Sequence, residues 1–343
     1  MSQAGESITP EVLAPVWKRR VKIAAGIAVS ALFLGLIATR IDVARALASI
    51  RAVSWHTLTL ATLMLACGYA AKIARWHVML VSIAPRVPWT VSTQTLLASV
   101  ALNNVLPLRA GDVARVFAFR KNIGASAASI LPLLVLERLL DTAMLVVLAA
   151  VVTIAMQRIG VVAANLSIIA YLAAAAFTGV ILLTLVAGPL ARHVSKRGDD
   201  TFAWLPHALR GPMNQAIGIL AKQLRGRQAL ALFVLTALAW IFEGAMLATL
   251  AGGFGFATPV LAGYFACALA TLATLVPSAP GFFGTFHAAA IAAVSLFGAQ
   301  TDDAAAFAFL AHGLLWLPLT ICGLACLAFL STSTSQRPAT GTS

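Results

Sequence analysis

The chain has 343 residues, of which 61% are hydrophobic and only 10% charged, with a mean hydropathy of +0.93. Soluble domains carry about 25% charged residues, so the composition excludes one and indicates a polytopic membrane protein. The formal charge of +13 does not point to nucleic acid, because the bases lie in short clusters between apolar runs, as in cytoplasmic membrane loops.

Residues 1–20 read as a cytoplasmic N-terminal tail, in which Trp17-Lys18-Arg19-Arg20, followed by Lys22, makes a positive anchor. The first span is Val21 to Thr39, too long for a signal-peptide core and without a small-x-small cleavage site, so it is expected to be retained. A short amphipathic segment with Ile41, Ala44, Leu47 and Ala48 follows, and a second span, Trp55 to Ile73, returns to Lys72, Arg75 and Arg86 as inside anchors.

The next stretch decides the topology. If Trp89 to Leu106 crossed the membrane, Arg109, Arg115, Arg120 and Lys121 would lie outside, and so would the basic loop 188–227. Two basic clusters on the wrong side violate the positive-inside rule. Reading Trp89 to Lys121 as a re-entrant pair of half-helices broken at Leu106-Pro107 returns both clusters to the cytoplasm. Irregular backbone at membrane depth must be buried in protein or face a wet cavity, so this reading also predicts a cavity.

The third span is Ser126 to Ile154 and the fourth Val162 to Ala187. In the loop that follows, Met213, Ile217, Leu220 and Leu224 recur at helical spacing, as in an interfacial amphipathic helix. The fifth span is Ala229 to Leu250. Thr258 to Leu296, broken by Pro277, Pro280, Gly281 and Gly284, reads as a second re-entrant pair. Asp302-Asp303 is expected to cap the last span, Ala304 to Leu330, and 331–343 is a polar cytoplasmic tail.

The predicted fold is therefore all-α, a membrane bundle of six full spans plus two re-entrant broken hairpins arranged as inverted repeats. One domain covers 21–330, with halves 21–154 and 162–330. Interrupted segments at matching positions of inverted repeats point to a transporter's binding site.

Charges inside a bilayer are costly and default to functional candidates. Glu137 lies about eleven residues, or about 16 Å, into its helix, near mid-membrane. Glu137 and Asp141 share a face, and Arg138 is spaced to pair with Asp141. A purely structural ion-pair network is the alternative. In the first hairpin Arg109, Asp112 and Arg115 follow at spacing three. Asp112 is placed to N-cap the returning half-helix, whose N-terminus is a natural anion seat, and arginine suits bidentate phosphate contact. Arg120 and Lys121 read as anchors. Asn103 and Asn104 serve either a headgroup or the backbone groups freed at Pro107. In the second hairpin Ser278 can cap, His287 could titrate near neutral pH, and Glu243 and His312 are further buried candidates. Cys67, Cys267, Cys322 and Cys326 all fall in apolar runs, which supports neither a disulfide framework nor a metal site. Neither cofactor nor metal is expected, and no recognised catalytic constellation is present.

Asn104 with LPLRAGDVAR, then LERLLD at Leu136 to Asp141, then PSAPGFFGTFHAA and a final helix with His312 and Pro318 resemble the lysylphosphatidylglycerol synthase transmembrane-region family of flippase-like proteins. The Trp240-x-x-Glu243 helix is similar to its hopanoid-associated branch. The resemblance implies movement of phospholipid-like or polyprenyl-linked lipids between leaflets of the inner membrane. It assigns site positions to Pro107, Arg109, Gly111, Asp112, Arg115, Glu137, Arg138 and Asp141 in one half and to Pro277, Pro280, Gly281 and Gly284 in the other. Asp112 and His287 stand where the family usually has Glu, and Phe282 interrupts a usual Gly-Gly. The soluble aminoacyltransferase domain of bifunctional members is not among these segments. The expected function is a lipid transporter in which Arg109, Arg115 and Arg138 hold an anionic headgroup. The alternative is an enzyme or accessory protein acting on lipid-linked glycans or hopanoid lipids. Expected partners are membrane lipids and lipid-biosynthesis enzymes, and no nucleic acid.

Overall fold

The structure, a computed structural model, describes residues 16–158, 206–276 and 278–335, together with Pro189 and His193. Every regular element among the described residues is helical. The predicted fourth span and Pro277 lie outside the described residues.

Helix α1 (Val16–Ala38) is followed by α2 (Val43–Ala52), which turns from it by 87°. Asp42 sets that corner by capping α2, its carboxylate accepting from the amides of Ala44 and Arg45. Ser54 caps α3 (Trp55–Val81) in the same way. Helix α4 (Trp89–Val105) ends where Pro107 forces the preceding residue out of helical geometry: Leu106 is extended at φ −102° and ψ 146°. A tight turn over Pro107–Arg109 then leads into α5 (Ala110–Phe117), α6 (Arg120–Ile123) and the long α7 (Ala127–Arg158).

The remaining described chain begins with α8 (His207–Gln223), the amphipathic helix expected from its apolar stripe, and α9 (Gly226–Gly253). Next come α10 (Pro259–Ala273), a second break with a turn at Pro280–Phe282, α11 (Thr285–Ser295) and α12 (Thr301–Ser335). Four helices are long and apolar enough to cross a membrane: Trp55–Val81, Ala127–Arg158, Gly226–Gly253 and Thr301–Leu330. The bent pair Ala24–Ala38 and Val43–Ala52 makes a fifth if it counts as one span.

Both broken segments double back. Helix α5 lies against α4, and α11 against α10. The first return is so close that a Cβ on Gly111 would stand 1.8 Å from the Ser99 carbonyl oxygen, so only glycine fits there. Around the hairpins, α3 packs along α9, α4 along α12 and α10 along α7. Helix α2 packs on α12, and α8 on α7. Leu65, Leu145, Leu247, Phe265 and Phe307 form one core, and Trp76, Met79, Leu96, Leu133 and Leu136 a second. Leu32, Leu63, Leu230, Ile241 and Phe329 point outward, as lipid-facing residues do.

Asp302 and Asp303 sit in the first turn of α12 and reach across to α2, accepting from the Asp42 amide (2.8 Å) and the Ser49 hydroxyl (2.6 Å).

Candidate functional site

Four ion pairs lie through the middle of the bundle, each joining two elements; Arg75–Asp141 and Arg115–Glu137 are buried, and Lys72–Glu243 and Arg138–Asp112 are partly buried. Arg75 of α3 grips Asp141 of α7 with two hydrogen bonds of 2.6 and 3.0 Å and also donates to the Thr236 hydroxyl of α9. The Trp240 indole of α9 donates to the same carboxylate at 2.9 Å. One turn away, the Lys72 ammonium bonds the Glu243 carboxylate and lies over the rings of Trp240 and Tyr69, 4.4 and 4.7 Å from their centroids. Lys72 and Arg75 are three apart on α3, and Trp240 and Glu243 three apart on α9, so each helix turns one face to the cluster.

Arg115 of α5 donates to both oxygens of Glu137 (3.1 and 3.0 Å) and to the Ser99 hydroxyl from two nitrogens, with its guanidinium over Trp76. Arg138 of α7 bridges both oxygens of Asp112 in α5 at 2.8 and 3.0 Å, and Asn103 donates to that carboxylate at 3.0 Å. The buried Nε of Arg138 has no partner. Arg109 differs from these. Its guanidinium donates to the carbonyl and hydroxyl oxygens of Thr274, in the second hairpin, and lies 5.5 Å from the Phe282 ring centroid. Among the described residues it has no carboxylate partner.

The two breaks thus touch. Besides the Arg109–Thr274 contact, Trp316 of α12 donates its indole proton to the Asn104 carbonyl, and the Asn104 amide donates to the Thr320 hydroxyl at 2.9 Å. A Cβ on Gly281 would come within 2.7 Å of the Trp316 indole nitrogen and 3.0 Å of the Asn104 carbonyl oxygen, so the turn of one hairpin rests against the end of the other. The contact is strained: Leu108, Arg109 and Phe282 hold positive φ of 60°, 53° and 61°. Each such non-glycine residue costs about 1–3 kcal/mol and persists only where surrounding packing imposes it.

Two cavities meet at this contact. A polar one of about 200 Å³ is lined by all four acid–base pairs except Asp112, and by Asn104, Arg109, Thr274 and His312. A second, of about 380 Å³, lies between the tips, with Pro107, Ser278 and Pro280 in its wall. Arg109, Asn103, Thr274, Leu275 and Phe282 border both.

His287 borders neither of these two cavities; it is buried behind His312. Its Nδ1 accepts from the Gly284 amide (3.3 Å), which leaves the proton on Nε2 to be donated to Nδ1 of His312 at 3.2 Å.

Of the residues singled out from sequence, Asn104, Arg109, Arg115, Glu137, Arg138, Asp141 and Glu243 border the polar cavity, while Gly111, Gly281 and Gly284 allow close backbone approach. Four expectations are corrected. Lys72 and Arg75 are not interfacial anchors, because α3 continues to Val81 and buries them against acids of α7 and α9. Arg138 pairs with Asp112 rather than Asp141, whose carboxylate is taken by Arg75 and Trp240. Asp112 does not cap α5: Arg109 occupies the N-cap position, and the Asp112 amide donates to the Asn103 side chain. Ser278 does not cap either, since α11 starts from Gly284 and the Ser278 hydroxyl has no partner. Arg115 is only 1% exposed and its hydrogen bonds are all internal, so it supports the site without facing the cavity freely.

Sequence reasoning missed Lys72, Arg75, Thr274 and Trp316 as site residues. The sequence signal at positions 72 and 75, two bases three apart on one helix face, reads equally well as an interfacial anchor.

A comparison with curated proteins finds no match. The family profile described as the lysylphosphatidylglycerol synthase TM region matches residues 23–323, a stretch that begins in α1, ends in α12 and includes both broken hairpins. The chain is a multi-pass membrane protein of the lysylphosphatidylglycerol synthase TM-region family.

Proposed function

We propose that this chain is a flippase-like transporter of the cell inner membrane that moves an anionic lipid between leaflets. The observation that carries this reading is the polar cavity at the meeting point of two broken hairpins, bordered by a guanidinium that pairs with no carboxylate among the described residues. Charged groups inside a bilayer are costly unless they serve a substrate path or pair with one another, and among the described residues Arg109 pairs with no acid.

The order of elements supports a two-half mechanism. Amphipathic helix, span, broken hairpin and span recur as α2, α3, α4/α5, α7 and again as α8, α9, α10/α11, α12. The packing is reciprocal: α4 and α2 lie on α12, whereas α10 and α8 lie on α7, and α3 meets its counterpart α9. Such exchange is what a two-fold relation between halves produces, and with the predicted fourth span each half has three crossings, so the second half is inverted. Rocking of one half against the other would expose Arg109 to alternate sides while both termini stay cytoplasmic. The Trp240–Glu243 likeness places hopanoid lipids among those to be tested.

Purified full-length protein in liposomes tests the reading through leaflet exchange of a labelled anionic phospholipid. The wild type is expected to exchange it well above protein-free vesicles, and Arg109→Ala to lower the rate by about tenfold, the equivalent of one lost charge-assisted contact. A change in the lipid's mass would instead support an enzyme. If folded Arg109→Ala and Glu137→Gln both exchanged lipid at the wild-type rate, the site assignment would fail.

A further inference from the structure

The charges around the polar cavity are countable. Lys72, Arg75, Arg115 and Arg138 are matched one to one by Glu243, Asp141, Glu137 and Asp112, and Arg109 is the remaining cation. The described residues of the site therefore carry one positive charge more than negative. Free donors remain as well: Arg109 uses one of its three nitrogens on Thr274, and Arg75 and Arg138 each keep an unpartnered Nε. A buried charge is tolerated when it is compensated, so the site is complete with one negative charge and overcharged with two or more.

Arg109 also stands on the border with the second cavity, which has a different chemistry. Leu106, Leu108, Leu275 and Val276 in its wall are apolar and exposed, as surfaces meeting hydrocarbon are. Between the two spaces stand Arg109 and Phe282, one from each hairpin, stacked on one another and both held in left-handed backbone conformations. Glycine would adopt that geometry without strain, so the Phe282 ring is present at a cost, and what it supplies is an apolar wall against the guanidinium.

From this we infer that the site takes an amphiphile with a single negative charge, its anionic group on Arg109 in the polar cavity and its hydrocarbon in the cleft between the hairpin tips. Headgroups with two or more charges, such as diphosphates, are refused. The inference rests on the transport reading for the location of the site and adds the class of lipid.

Binding to the purified full-length protein, read by native mass spectrometry, tests it with three lipids of identical tails. These are dioleoylphosphatidylglycerol with one charge, dioleoylphosphatidylcholine with none, and dioleoylglycerol pyrophosphate with more than one. The wild type is expected to retain phosphatidylglycerol about tenfold better than either of the others. Arg109→Gln should erase the preference over phosphatidylcholine, and Arg109→Lys should keep most of it. Val276→Trp, which fills the cleft, should weaken phosphatidylglycerol and phosphatidylcholine alike and leave their ratio unchanged. Equal or tighter retention of the pyrophosphate lipid would overturn the inference, and so would equal retention of phosphatidylglycerol and phosphatidylcholine by the wild type. Both comparisons use the wild type, so neither depends on a variant folding. Selective binding without leaflet exchange in vesicles would refute transport alone and leave the charge selectivity standing.

Discussion

Asp141 accepts from two partners on two helices, the Arg75 guanidinium and the Trp240 indole, and Arg75 donates on to the Thr236 hydroxyl; all of these lie away from solvent. Removing one member of such a pair strands the other charge in a low-dielectric interior, whereas removing both does not. Asp141→Asn is therefore expected to lower stability by about 3–5 kcal/mol, and Arg75→Met with Asp141→Leu together by much less. Thermal unfolding of the purified variants in detergent checks this, and a double variant no better than Asp141→Asn would contradict it. Glu137, Arg138 and Asp141 were legible as charges inside an apolar run. Arg75 was not, because it follows Lys72 near the end of such a run, where a buried base and an interfacial anchor look alike.

At the scale of the element, each hairpin depends on a break and on how tightly its arms return. Pro107 announces the first break, since it removes a donor and restricts Leu106. The left-handed conformations of Leu108, Arg109 and Phe282 were not legible, because those residue types carry no preference for them. The return itself hangs on Gly111. Gly111→Ala would drive a methyl into the Ser99 carbonyl, so α5 must lift from α4 and the Arg115–Ser99 bonds must lengthen. The expected loss is about 1–3 kcal/mol, with leaflet exchange reduced as well. Gly218→Ala in α8 is the control: nothing lies within 4 Å of its added methyl, so a gain of about 0.5–1 kcal/mol is expected in the same unfolding assay. Equal effects at the two glycines would refute the tight return.

For the whole molecule, the re-entrant reading places Arg86, Lys121 and Lys222 on one side of the membrane and Arg40 on the other. All four side chains are exposed and suitable for single-cysteine labelling once Cys67, Cys267, Cys322 and Cys326 are replaced. An impermeant maleimide applied to intact cells should label Arg40→Cys only, and should reach the other three after permeabilisation. Labelling of Lys121→Cys in intact cells would overturn the topology, and with it the meeting of two hairpins from opposite sides. The contact of Lys222 with the Ser82 carbonyl ties α8 to the end of α3 and so puts Arg86 and Lys222 at the same end of the bundle.

Hydropathy and the distribution of bases were enough to read a membrane bundle and the two broken segments, because lipid imposes its rules on every residue that meets it, while the resemblance to the family rested on the ordered motifs LPLRAGDVAR, LERLLD and PSAPGFFGTFHAA. They also singled out Arg109, Asp112, Glu137 and Glu243. Which acid meets which base was decided only by the packing, since Asp112 and Arg138, or Arg75 and Asp141, are distant in the chain and become neighbours when α5 folds onto α4 and α3 settles beside α7 and α9. That pairing is also what singles out Ala101 to Lys121 as the centre of the site. Of its two central arginines, Arg115 is consumed by Glu137, and Arg109, carried past the break on a strained turn, has no acid partner among the described residues.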